Sequence, residues 1–151
     1  MGGTVAAGWP ARGRLVGSVI AGSPVPSLIE DGAHGFYAAW IALTIGTVVL
    51  GVHIGPDNAS AGGWNGDERE LVPSTPIQTG KRWPQLALAP EGGAFLAWRS
   101  SSSNPNIQPS GYRLLRLTAA GLPFAGWAAE GLVVQTDMTN SGASPMLAVF
   151  T

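Results

Sequence analysis

Apolar residues along this chain fall into short runs separated by turn residues, and the runs recur in a fixed order of four. The first opens on Pro and Leu, as P-S-L-I-E from Pro26 and P-Q-L-A-L from Pro84. The second, F-Y-A-A-W-I (36–41) and A-F-L-A-W (94–98), is apolar at successive positions, as a strand covered on both faces must be. The third is V-V-L-G-V-H-I (48–54) and Y-R-L-L-R-L (112–117). The fourth follows a Gly-Trp pair, as E-L-V (70–72) and G-L-V-V-Q (131–135). β-Branched and aromatic enrichment in runs this short predicts strands, four to a unit.

One stretch tests that reading. Between Ala33 and Pro56 the chain carries no formal charge if the histidines are neutral, and about 20 apolar residues suffice for a membrane helix. The repeat decides against it. With no gap, Pro26, Leu28, Gly35, Ala39 and Trp40 lie over Pro84, Leu86, Gly93, Ala97 and Trp98, an offset of 58. Val52 to Asn58 lies over Leu115 to Gly121, which sets His53 opposite Arg116 and Asn58 opposite Gly121, the two residue types most at ease with positive φ. In the second copy the segment after Trp98 is the polar stretch R-S-S-S-S-N-P-N-I-Q-P-S-G, which no bilayer accepts. The charge-free run therefore predicts a strand, a loop and a strand, with Gly46 and Gly51 placed to interrupt a helix.

Composition agrees. The 151 residues include 22 Gly and 12 Pro, which disfavour long helices, and 45% hydrophobic residues, enough for a core. Only 11% are charged and the net charge is −1, with Lys and Arg scattered, so the chain has no basic footprint for nucleic acid. The lack of cysteine removes disulfides, thiolate chemistry and Cys-ligated metals. No cofactor is expected, and the N-terminal residues do not read as a signal peptide.

A second marker, Gly-Trp at Gly8-Trp9, Gly63-Trp64 and Gly126-Trp127, interleaves with the P-x-L…G…A-W segments, and a third partial copy, P-M-L-A-V, starts at Pro145. Four strands per unit and a period near 60 describe β-propeller blades. The pattern resembles that of secreted bacterial β-propeller repeat proteins, P-x-L-x-x-D-G-x-G-G-x-x-x-A-W with a later G-W-x-x-x-G-x-x-V; Asp31-Gly32 and Gly35 keep it, while in Glu91-Gly92-Gly93 the acidic residue is displaced. The sialidase-type Asp box, the kelch pattern and the Trp-Asp ending of WD40 units do not occur. The expected organisation of residues 1–151 is an all-β propeller segment, an incomplete toroid: a strand of a preceding blade at 14–20, blades at 26–72 and 84–134, and the first strand of a next blade at 145–151.

Candidate chemistry is sparse. Trp9, Trp64 and Trp127 share one repeat position and Trp40 and Trp98 another, which predicts packing between blades; Trp83, outside both markers, is the candidate for an exposed contact. His34 lies in a turn and His53 aligns with Arg116, so both are expected in solvent, without a second ligand at metal spacing. Glu30-Asp31 and the run 66–70 read as charged turns, and Asp57, Asn58 and Asp137 lack the spacing of a calcium loop. Asn58-Ala59-Ser60 matches a glycosylation acceptor. The polar loop 100–111 is the candidate recognition loop.

No catalytic, metal or cofactor residue is assigned on this basis. The expected function is a non-catalytic repeat module, extracellular or in the cell envelope as the resemblance implies, that binds protein or glycan, or spaces other domains. Its expected partners are other blades or further copies of itself, with no membrane span. The alternatives are a piece of a propeller enzyme, a glycoside hydrolase or lyase with its catalytic residues elsewhere, and a small oligomeric lectin.

Overall fold

The computed structural model describes residues 7–17, 25–44, 46–64, 68–75, 78–102, 104, 106 and 110–136. These hold eight strands and no helix, so none of them forms a helix long and apolar enough to cross a membrane. Strands β1 (Ser27–Glu30), β2 (Phe36–Thr44), β3 (Gly46–Ile54) and β4 (Arg69–Val72) form one antiparallel sheet in chain order. Strands β5 (Gln78–Leu88), β6 (Ala94–Ser102), β7 (Gly111–Leu117) and β8 (Leu132–Thr136) form the second in the same order. The two sheets do not close into a ring.

The repeat in sequence is a repeat in hydrogen bonding. Leu28 pairs Ala38 as Leu86 pairs Leu96. The bulge between Val49 and Leu50 recurs between Tyr112 and Arg113, 63 residues on. After the third strand, the turn bond from Gly55 N to Ala59 O (2.8 Å) repeats from Thr118 N to Leu122 O (2.8 Å), and Asn58 and Gly121 take φ of 66° and 72° as their alignment predicted.

β5 departs from the expected boundary. It begins at Gln78 rather than Pro84, because a bulge between Arg82 and Gln85 lets the strand continue backwards past the proline, which has no N–H to give a ladder. Arg14 to Gly17, the described part of the expected strand 14–20, have no regular structure, and the rest of that strand and the segment 145–151 lie outside the described residues.

Side-chain alternation sorts each sheet into two faces. Ala38, Trp40, Val52 and Ile54 share one face of the first sheet, covered by Trp9 and Val16. Leu96, Trp98, Leu115 and Leu117 occupy the same positions in the second, and they pack on the opposite face of the first, on Tyr37, Ala39, Ile41, Val49 and Leu71. β5 lies against β1, β2 and β3. Trp40 and Trp98 are 2% and 0% exposed, which places them in the cores as their repeat position predicted.

Candidate functional site: the junction between sheets

Trp64 sits between the sheets because of the glycine before it. Gly63 has φ 85°, Gly8 85° and Gly126 84°, a left-handed conformation that an L side chain rarely adopts, and it turns each tryptophan off the end of its unit. The Trp64 indole N–H then donates to the Ala119 carbonyl in the next sheet, 2.9 Å away. Trp9 does the same to Pro56, at 2.8 Å, the residue that aligns with Ala119. Five residues after Trp9 and after Trp64 stands an arginine: Arg14 donates to the Asn58 carbonyl and Arg69 to the Ala120 carbonyl, in the same two turns. Asn58 completes the first by donating its amide to the Gly8 carbonyl at 3.2 Å, so the acceptor-pattern asparagine holds the incoming arm.

The structure places His53 differently from the sequence expectation. It is 6% exposed, not solvated, because the partner sheet covers the face on which it stands. Its Nε2 lies 2.8 Å from Asp31 Oδ2, and the Tyr37 ring stacks on it at 3.9 Å. Asp31 Oδ1 also accepts the Ala33 and Gly35 amides at 2.7 and 2.9 Å. Burial alone would raise the Asp31 carboxyl, but the bonds from His53, Ala33 and Gly35 and the His53 charge outweigh it and hold the group below 3.8. Burial, with the Asp31 charge, raises the Tyr37 phenol against an opposing bond from the Gly93 backbone. An ionised carboxylate only accepts, so Nε2 carries the proton facing Asp31; Nδ1 is then buried with no partner among the described residues, facing Gly62, where an added Cβ would stand 2.6 Å away.

The second sheet repeats the tie with other chemistry. Arg116, aligned with His53, pairs with Glu91 at 2.7 Å, where Glu91 is exposed. In each sheet an acidic residue of the first turn thus anchors the end of the third strand, and the pair in the buried copy is the one assembled from Asp and His. This shared position accounts for Asp31 and His53 as a structural tie.

Among the described residues, no sheet covers the second sheet's outward face as the second sheet covers the first's. Tyr37, Val49 and Leu71 are 6%, 0% and 4% exposed; at the equivalent positions Phe95 and Tyr112 are half-buried and Val134 is 58% exposed. All of β8 is exposed, and Trp127 rests edge-on to Phe95 at 6.2 Å.

The remaining sequence candidates separate. Trp83 is half-buried with φ 52° and lies under the Arg99 guanidinium at 5.7 Å, so it braces its own sheet. His34 is in solvent as expected, 3.9 Å from Glu30. Asp57 accepts the Ala59 amide at 3.1 Å in its own turn. Among the described residues no group of three or more His, Asp or Glu could hold a metal ion. Of the loop 100–111, residues 103, 105 and 107–109 lie outside the described residues, as do Asp137 and residues 66–67. The sequence reading missed the Asp31–His53 pair and the burial of Lys81 and Arg113. For the first a signal existed, in the alternation of strand faces that sets His53 beside Tyr37.

Comparison of the chain with protein-family models, with curated proteins and with solved structures finds no match.

Proposed function

We propose that this chain is a non-catalytic repeat module of the β-propeller kind, which stacks like sheets in line and offers the loops at their ends to a protein or glycan ligand outside the cell or in its envelope. The observation that carries the reading is the forward contact made twice: a Gly-Trp arm leaving one unit and docking on the third-strand turn of the next, at Pro56 and again at Ala119. A contact copied with its glycine geometry, its indole bond and its arginine is a device for adding units.

The device leaves two surfaces to complete. The first sheet's inward face is covered, among the described residues, by the arm 7–17 without a sheet behind it. The second sheet's outward face carries exposed Val134 where Leu71 is buried. One copy's second sheet therefore fits the first sheet of another copy, with the same surfaces that already meet within the chain. Sedimentation velocity of the purified chain and of Val134→Glu tests this. Association at micromolar concentration that the variant abolishes is the expected result; equal association of both, or a monomer of 15.5 kDa in both, would overturn it.

A further inference from the structure

β5, β6 and β7 carry five cations, Lys81, Arg82, Arg99, Arg113 and Arg116, and no carboxylate. Two of the five face the first sheet and are sealed from water: Lys81 is 1% exposed and Arg113 2%. Ser100 connects them. It is the direct cross-strand partner of Lys81; its Oγ accepts the Arg113 Nε–H at 2.8 Å and donates to the Gly111 carbonyl at 3.4 Å. The row lies at the end of the sheets where the hairpins close, since Ser100 pairs Gly111, the first residue of β7, and Thr47, beside Lys81, is the second residue of β3.

Buried cations are stable only when paired or satisfied. Lys81 Nζ donates to the Thr47 carbonyl at 2.9 Å, which leaves two of its three N–H groups. Arg113 Nη1 makes long bonds to the Glu130 and Gly131 carbonyls, at 3.3 and 3.4 Å, and Nη2 is buried with no partner among the described residues. The Glu70 and Glu130 carboxylates act on these cations through space, and no ion pair joins them among the described residues. Arginine does not shed its proton, so its unpartnered N–H groups call for an acceptor that the neighbouring side chains among the described residues do not supply.

We propose that Lys81 and Arg113, held side by side by Ser100, form a binding site for a small tetrahedral oxyanion, phosphate or sulfate, at the hairpin end of the two sheets. The donors approach from separate strands rather than as one planar fork, which suits a tetrahedral group better than a carboxylate. The site does not depend on the association reading above.

Calorimetric titration of the full chain with sodium phosphate and sodium sulfate, against chloride at matched ionic strength and pH 7, reads the site directly. Saturable binding of one ion per chain is expected, weakened on the order of tenfold or more in Arg113→Met and in Lys81→Met. A wild type that takes up neither ion, or an Arg113→Met chain that binds as tightly as wild type, overturns the proposal. Should either variant fail to fold by circular dichroism, the wild type alone decides. A nuclear magnetic resonance titration of the Lys81 side chain rises to higher pH with phosphate or sulfate bound if the site exists, and is unmoved at saturating anion if it does not.

Discussion

Trp64 hands its indole proton to Ala119 across the boundary between two sheets, and 55 residues earlier Trp9 hands its own to Pro56. Removing the nitrogen while keeping most of the ring isolates that bond. Trp64→Phe is expected to lower stability by about 1–3 kcal/mol, since the Ala119 carbonyl loses its donor, with circular dichroism unchanged. Denaturant unfolding checks this; an unshifted midpoint would mean that the bond contributes nothing to holding the sheets together.

Trp98, fully buried in the core between the sheets, is a packing residue on this account. Trp98→Ala should cost about 3–5 kcal/mol, enough to unfold a marginal domain. A soluble variant with the wild-type melting curve would contradict its place in the core.

How far the sequence alone reached follows from what repeats. Strand number, order and the two turn positions at Asn58 and Gly121 were legible because the same geometry had to be written twice, and two copies expose a pattern that one would hide. The Gly-Trp pairs were visible as markers, but not their acceptors, because backbone carbonyls leave no trace in residue identity. His53 was misplaced for a physical reason: its aligned partner Arg116 lies on a sheet face that, among the described residues, no further sheet covers, while the same face of the first sheet is sealed by the second. Burial differs between copies of a repeat even where the strands agree. Lys81 offered no signal at all, since K-R-W-P reads as a solvated charge until the bulge at Pro84 extends the strand backwards.

The Asp31–His53 tie makes the fold sensitive to acid. Because the native Asp31 carboxyl is held below 3.8, its contribution is fully present above that value and is lost as pH falls through the lower native one. Wild-type stability should therefore drop on acidification below about pH 4, and Asp31→Asn should be less stable at pH 6 but lose less between pH 6 and 3. Parallel pH profiles for the two proteins would remove Asp31 from this role.

Lys81 gives a pH dependence of the same sign at alkaline pH. Burial, opposed by Glu70 and reinforced by Arg113, brings its ammonium down to about 8 from 10.5. Between those values the unfolded chain binds more protons than the native one, so stability rises with pH across that window and the penalty is fully present below it. Urea unfolding at pH 7.5, 9 and 10 should show the rise in wild type and a smaller one in Lys81→Met; equal slopes would place the Lys81 amine in solvent.

The claim that Gly-Trp arms dock one sheet on the next is tested most directly by hydrogen exchange at the three indole N–H groups, followed by nuclear magnetic resonance across a dilution series. In dilute protein, Trp9 and Trp64 should be protected and Trp127 should exchange quickly, since the first two have acceptors in the following sheet. As concentration rises and copies associate, Trp127 should become protected too. A Trp64 indole that exchanges as fast as Trp127 in the folded chain, or a Trp127 that stays unprotected while the chain associates, would contradict the account.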